Sequence, residues 1–520
     1  MSKRKAAKAA ECDSVDINST YVKILSVVCQ RRENMVKKIN YCSLFVLILL
    51  FVSCSDQKKE LVRDVESISD EEVIAENDII MDKEQILDID TSEDDILKND
   101  PETDESDDED IDPAFEVSIE LPKNEVTEYG RASFSATVTG GTAPFIFEWD
   151  FDGASMPVNE ESPQNIEFKT PGDFKISLTV KDSAGKMAED EKILTVLPLE
   201  GKMHQYFGNF HGHSGISDGE GTAVEIMNWA KFDEKIDFYV MTDHAEQISE
   251  SEWAEIKLQT DLFNEDGVFA AMRGFEWSHP VNGHICIYET DDYSAAYSDL
   301  WINKIYEWIK DNNGIAQFNH PGREIEAFNN LKLEPDVLSN MIMMETGNKS
   351  TGNNDGEFIP YYIKALDNGW QIAPTSNQDN HKMELTSHRS VFIGEELTRA
   401  NLLDAMKSRR IYSSDDPDIK VVFKHREHWM GSNVTVTDPL VRFDIKIVDN
   451  EPVQKLELIT NKGVSVAEFI PEEGAMTAFW FPEITVNQSS YYFLKVTSED
   501  INDGEAPVQI AITAPIWIYR

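Results

Sequence analysis

The stretch Asn209-Phe-His-Gly-His-Ser-Gly-Ile-Ser-Asp-Gly219 decides how the rest of the chain is read. Side chains of an extended strand alternate between two faces, so His211 and His213 stand on the same side. Two neutral imidazoles converging from one strand end make half of a transition-metal site. Asp218 follows in a glycine-bracketed polar turn that can bring a carboxylate back towards the same point. Alone, His-x-His more often marks a solvent-facing strand, so any partners must come from elsewhere in the chain.

Outward from this point, residues 205–415 alternate helix-like and strand-like patterns, as an α/β barrel requires. Strands are expected at 207–211, 236–241, 268–274, 284–288, 314–318, 341–344, 370–375, 389–393 and 411–413. Helices are expected at about 222–232, 251–263, 300–310, 359–368 and 397–409. His, Asp and Glu recur where these strands end, on the rim at which such barrels build active sites. Six of the eleven histidines fall there: His211, His213, His244, His284, His320 and His381. Asp218, Asp243, Glu276, Glu345 and Asp379 accompany them. Mixed imidazole and carboxylate ligands suit Zn, Mn or Fe rather than Mg or Ca. Asp243, Arg323 and His279 are the candidate catalytic groups. Arg323, just after His320-Pro-Gly, offers a planar fork for phosphate or carboxylate, with a plain surface salt bridge as the alternative. Cys286 lies inside an expected strand and is read as a packed small hydrophobe.

On either side the pattern changes to short alternating runs separated by turns, the mark of β-sandwiches, at 114–198 and 416–520. Phe174, Ile176, Leu178 and Val180 share one face of the clearest strand. The net charge of -49 is uneven: about 25 acidic and 5 basic residues lie between Asp56 and Asp112. Such a segment, poor in aromatics, cannot bury enough surface to offset its ordering entropy, so 54–113 is expected to be a disordered tether. Its acidic spacing fits no defined calcium loop. No basic stripe exists to replace counterions on a nucleic acid. Five cysteines suggest no disulfide framework. Met35-Val-Lys-Lys, the apolar run Leu44–Val52 and Ser53-Cys54 read as an export signal over 35–53, too short for a comfortable membrane span. Residues 1–34 are then expected to be a non-native extension, with translation starting at Met35.

Several resemblances follow from these residues. Ser53-Cys54 resembles the processing site of bacterial lipoproteins, which implies a lipid anchor on Cys54 and a cell-envelope location, periplasmic or surface-exposed, at the outer membrane. Trp149-Asp-Phe-Asp-Gly153, Thr170-Pro-Gly-Asp-Phe174 and Val180-Lys-Asp182 resemble the PKD domain, an immunoglobulin-like sandwich. That module implies a spacer or a glycan or protein contact. His211-x-His213 with Ser217-Asp218-Gly219, Thr242-Asp243-His244, Gly274-x-Glu276, His320-Pro321 and Asp379-x-His381 resemble the PHP (polymerase and histidinol phosphatase) family.

The PHP resemblance implies a distorted (β/α)7 barrel with two or three divalent transition metals at its rim. By position it assigns His211, His213, Glu276 and Asp379 to one metal, and Asp218, His244 and His320 to a second. His284 and His381 go to a third, with Glu276 bridging. Asp379 stands one residue later than the family's usual Gly-Ser-Asp-x-His context, because Gln378 intervenes. Arg410-Ile-Tyr412, Trp429-Met-Gly-Ser432 and Ala514-Pro-Ile-Trp-Ile518 look like the carbaryl-hydrolase-like (CehA/McbA) branch, which joins such a barrel to a β-rich C-terminal domain. The expected function is an exported metal-dependent hydrolase, a phosphoesterase acting on a small-molecule phosphoester. The alternatives are an ester, carbamate or amide hydrolase, or a non-catalytic glycan- or protein-binding lipoprotein.

Overall fold

The computed structural model describes residues 114–296, 301–348, 358–500 and 508–520. The extension 1–34, the export signal 35–53 and the tether 54–113 lie outside the described residues. The described chain is multidomain and mostly β, with few helices. No helix among the described residues is long and apolar enough to cross a membrane.

Residues 114–198 form a sandwich of short sheets around their own core. Strands Glu125–Thr127, Met187–Leu197, Gly172–Lys181 and Ile146–Asp150 make one four-stranded sheet, and Glu116–Glu120 pairs with Ser135–Thr139 opposite. Alternation along Gly172–Lys181 buries Ile176, Leu178 and Val180 against Trp149, Phe134, Phe151 and Phe168. Trp149 is fully buried, and its replacement by Ala is expected to cost about 3–5 kcal/mol.

The site belongs to a long curled sheet. Its order runs Ala373–Asn377, Met341–Asn348, Ile315–Asn319, Gly283–Tyr288, Ala270–His279, Phe238–Met241, His204–Asn209, Arg389–Gly394, Ile411–Ser414. Strict strand–helix alternation fails at two places: no helix separates Ala373–Asn377 from Arg389–Gly394, which is antiparallel to both of its neighbours, and none follows Ala270–His279. Ala270–His279 turns directly into Gly283–Tyr288, which then runs antiparallel to both of its neighbours. The helices that do cover the sheet start where the sequence offers caps. Thr222 with Glu225 and Ser249 with Glu252 form capping boxes at Ala223–Asn228 and Glu250–Phe263, each cap contributing about 1 kcal/mol.

The sheet curls until its first strand faces Arg389–Gly394, but no backbone ladder joins them. Hydroxyl groups span the gap because each can donate and accept. Ser390 Oγ accepts from Ser376 N at 3.1 Å, and Ser376 Oγ meets His388 Nδ1 at 2.7 Å. Thr346 and Ser413 hydroxyls meet at 2.7 Å. Beyond Ile411–Ser414 the sheet continues through Val508–Thr513, Ser490–Glu499 and Val453–Thr460. One hydrophobic core correspondingly runs from Phe210 and Val240 to Phe443 and Val496.

Candidate metal centre

His211 and His213 sit just past the strand His204–Asn209, where the chain is still extended and Gly212 bridges to Asn380. A side chain at 212 would come within 2.1 Å of the Tyr239 hydroxyl and 2.4 Å of Asn380 Oδ1. Glycine is therefore what lets the two histidines reach the sheet's open end. Both rings are buried, with centroids 5.2 Å apart.

Glu276, on the strand Ala270–His279, is the hub. Its buried carboxylate meets His211 Nε2 at 3.2 Å, His213 Nε2 at 3.8 Å, His244 Nδ1 at 2.8 Å, His284 Nδ1 at 3.2 Å and His320 Nε2 at 3.5 Å. Asp379 Oδ1 stands 2.9 Å from His213 Nε2 and 3.3 Å from His211 Nε2. His320 and Asp379 reach inward from backbone at φ 28° and 44°, sparsely populated for residues other than glycine. Half-exposed Asp218 completes the outer edge, with Oδ1 3.5 Å from His244 Nε2 and 3.3 Å from His381 Nε2.

Ligand atoms converge within 4.8 Å in three overlapping groups: His213, Asp218, His244 and His381; His211, His213 and Glu276; and Glu276, His284 and His320. All nine candidate ligands thus lie in or beside one cluster, Asp379 through its contacts to His211 and His213. The grouping exchanges two residues relative to the positional reading. His381 joins Asp218 and His244, while His320 joins His284.

Carboxylates and imidazoles shift one another strongly here. Burial disfavours the charged form of Glu276 and Asp379, yet the surrounding imidazoles hold both carboxyls well below the usual range. Burial lowers the His213 imidazole despite its Asp379 contact. Burial opposes the charge on His244 too, but Glu276 and then Asp218 raise it to about 9. His211 Nε2 lies near two carboxylate oxygens without the direction of a hydrogen bond, and it, His213 Nδ1 and His320 Nδ1 are buried without partners. Buried polar atoms are nearly always satisfied. Imidazole nitrogens and carboxylate oxygens that converge within 4.8 Å of one another are a donor set that fits divalent metals of the imidazole-binding kind.

The groups behind the ligands fix their direction. His211 Nδ1 lies 2.9 Å from Glu345 Oε1; a carboxylate only accepts, so Nδ1 carries a proton and the ring is turned with Nε2 towards the centre. Glu345 also accepts from the His320 amide at 2.6 Å, from Asn348 Nδ2 at 2.9 Å and from Asn377 Nδ2 at 3.0 Å. Asn319 Nδ2 donates to Glu276 at 2.8 Å, and Ser278 Oγ donates to it at 3.1 Å. Glu345 was visible as a strand-end acid, but Asn319, Asn348 and Ser278 carry no sequence signal beyond their place beside ligands.

The three candidate catalytic groups separate. Arg323 is on the rim, with Nη1 3.2 Å from His320 Nε2 and 4.0 Å from Asp379 Oδ2, and its side chain is 44% exposed. Asp243 instead faces the 211–219 segment. It accepts from the Ser214 and Ser217 amides at 2.8 and 3.1 Å and from their hydroxyls at 2.9 and 2.7 Å. Its carboxylate is thereby a brace for the turn that carries Asp218. His279 caps the hairpin, with Nδ1 accepting from Val281 N and Asn282 N at 3.1 Å while its ring stacks on Trp277. Cys286 is buried beneath the centre, its thiol pushed up to about 12 by burial, which suits packing rather than nucleophilic attack.

No family model and no curated protein matches the chain. Among solved structures it is similar to a two-domain protein of Bacteroides vulgatus containing a predicted PHP-like metal-dependent phosphoesterase. The identity is 15% over 61% of this chain and 95% of that one, with a TM-score of 0.35. The first PKD domain of a Vibrio cholerae metalloprotease, PrtV, is 21% identical over 16% of this chain and 98% of its own, with a TM-score of 0.13. A Bacteroides ovatus SGBP-B from a mixed-linkage glucan utilization locus, in complex with a mixed-linkage heptasaccharide, is 9% identical over 76% of this chain and 64% of its own, with a TM-score of 0.13. Likenesses this slight carry no chemical argument, which rests on the side chains themselves.

Proposed function

We propose that the protein is a metal-dependent hydrolase of the PHP type, acting on a phosphoester of a small molecule through two or three Zn, Mn or Fe ions. The observation that carries this reading is the convergence of five imidazoles on one buried carboxylate, Glu276, with nitrogen atoms left unpartnered. His211, His213, Glu276 and Asp379 would hold one ion, Asp218, His244 and His381 a second, and His284 and His320 a third beside Glu276. Such ions supply Lewis acidity that makes water nucleophilic at neutral pH and offsets charge on a phosphoryl group.

The chain's own residues do the rest. Arg323 stands at the open side, where its fork can take two phosphoryl oxygens. Its Nη1 also lies 3.2 Å from His320 Nε2, which ties the guanidinium to the edge of the cluster. Glu345 holds the His211 ring in one orientation, and Asp243 holds the turn bearing Asp218. We read the curled sheet as a distorted (β/α)7 barrel whose seam is closed by Ser376, Ser390, Thr346 and Ser413 side chains.

Metal analysis by plasma mass spectrometry, with p-nitrophenyl phosphate turnover on the same sample, tests the reading. Two or more equivalents of Zn, Mn or Fe with turnover that His211→Ala abolishes is the expected result. Metal without phosphatase turnover would shift the substrate to the esters and carbamates of the carbaryl-hydrolase-like branch. Absence of metal after reconstitution would leave a glycan- or protein-binding module. Export and anchoring through Cys54 rest on the sequence 35–54 alone; palmitate labelling of cells, lost in Cys54→Ala, is the expected outcome.

A further inference from the structure

Away from the metal centre, Asp416, Asp418 and Asp449 form an aspartate cluster, whose Asp416 Oδ2 accepts from Ser498 Oγ at 3.4 Å and from the Gln509 amide at 3.2 Å. A cavity beside the metal centre is of a different kind, because open space adjoins its polar groups. It has a volume of about 300 Å³ and lies between the 321–331 loop and the helix Ile359–Asp367. These follow the strands Ile315–Asn319 and Met341–Asn348, at the end of the sheet that carries His320 and Glu345. Pro321 and Gly322, directly after His320, form the near wall. The next residue, Arg323, reaches the cluster, with Nη1 3.2 Å from His320 Nε2. Gly322 instead meets the Tyr361 ring, so closely that a Cβ there would lie 2.3 Å from it. One turn thus touches the metal centre through Arg323 and the cavity through Gly322 and Tyr361.

The lining selects what can enter. Tyr361 is 37% exposed, so part of its ring is free to take a ligand. Half-buried Glu324 has one oxygen, Oε2, that is buried with no hydrogen-bond partner. A carboxylate oxygen only accepts, so its match is a hydroxyl or an amine. Glu324 also lies within electrostatic reach of the cluster: burial opposes the charge on His284, Glu276 favours it, and Glu324 adds to Glu276. Lys364, bonded to Asn330 Oδ1 on the lining, disfavours an amine. Glu324 and Glu326 disfavour a second phosphate or a carboxylate. What remains is a neutral group with several hydroxyls. A saturated ring presents C–H bonds to an aromatic face and hydroxyls to surrounding acceptors, and a cavity at the small end of ligand pockets holds one such ring.

We propose that this cavity is the leaving-group subsite of the hydrolase and takes a neutral, polyhydroxylated ring of hexose size, with Tyr361 against the ring and Glu324 accepting from its hydroxyls. The proposal rests on the phosphoesterase reading above and narrows the substrate to a sugar monophosphate with no second anionic group. In its hydrolysis the water oxygen bonds to phosphorus and the ester P–O bond breaks. The sugar oxygen keeps the electron pair and takes a proton from the attacking water, which gives free sugar and inorganic phosphate.

The test uses the full-length, metal-loaded protein with glucose, mannose and galactose 6-phosphates, and with p-nitrophenyl phosphate, whose flat leaving group offers Glu324 no hydroxyl. Tyr361→Ala and Glu324→Gln should each lower the ratio of kcat/KM for the best sugar phosphate to that for p-nitrophenyl phosphate by about tenfold or more, at wild-type metal content. Tyr361→Phe, which keeps the ring, should retain the wild-type ratio. Calorimetry supplies a readout without turnover: wild type should bind the phosphonate analogue of that sugar phosphate about tenfold or more tightly than methylphosphonate, and Tyr361→Ala should not. If Tyr361→Ala does not fold, Glu324→Gln carries both measurements. Unchanged ratios in the variants while p-nitrophenyl phosphate is hydrolysed, or equal binding of the two phosphonates, would overturn the subsite, leave a water-filled cavity only and keep the phosphoesterase reading. Wild type that turns over no phosphoester would overturn that reading instead, and phosphonate binding alone would then decide the subsite.

Discussion

The imidazole cluster and the aspartate cluster are both buried and both rich in carboxylates, yet they differ in what balances them. Around Glu276 and Asp379, histidines supply charge or hydrogen bonds, and the carboxyls stay well below their usual range. Around Asp449 no cation is paired among the described residues, and the Asp416 carboxyl rises to about 7 instead. The first cluster pairs carboxylates with imidazoles; in the second, the donors to Asp416 Oδ2 are the neutral Ser498 hydroxyl and Gln509 amide. Side-chain chemistry therefore separates a mixed imidazole and carboxylate cluster from one made of carboxylates alone.

The sharpest way to break this contrast is Glu276→Gln, which removes the anion shared by five imidazoles. Hydrolysis is expected to fall roughly 10³-fold, with loss of bound metal. Glu345→Ala keeps every ligand but frees the His211 ring, so kcat/KM should fall about 10–100-fold with metal affinity weakened. A third buried charge group, balanced within itself, supplies the reference. Arg389 Nη2 meets Glu234 Oε1 at 2.9 Å, and Glu234→Gln should lower stability in urea by about 3–5 kcal/mol without changing metal content.

The smallest effect concerns Asp237, whose carboxyl is raised above 3.8 by burial, against the opposing Phe207 amide hydrogen bond. A raised folded-state value means the folded chain holds this proton more tightly than the unfolded chain does. Its contribution is full below pH 3.8 and is lost as pH rises through the raised value. Asp237→Asn should therefore raise the melting temperature by about 2 °C at pH 8 and leave it unchanged at pH 3, checked by scanning calorimetry.

The imidazole cluster was legible because histidine is scarce and its spacing is meaningful: His211-x-His213 and the strand-end His244 and His320 declare themselves. Aspartate in an acidic chain does not, and Asp449 stands 31 residues beyond Asp418 with no motif between them. Strand positions followed from apolar runs, but pairing did not. Nothing local in Ala270–His279 reveals that it folds straight back on Gly283–Tyr288, because partner and direction are set by the whole sheet. The roles of Asp243 and His279 escaped for a related reason. Sequence places them beside ligands, whereas the direction of each side chain depends on which amides the turns expose.

The long sheet also sets an order of events during synthesis. Ser413 lies beside Ile512, 99 residues later, so the edge of Ile411–Ser414 waits unpaired while that intervening chain is made. Contacts this distant in sequence form slowly, and an open strand edge invites pairing with other chains in the meantime. A chain stopped before Val508 would carry every candidate ligand from His211 to His381 and still lack the strand that closes this edge. Its fate is aggregation or proteolysis rather than reduced turnover.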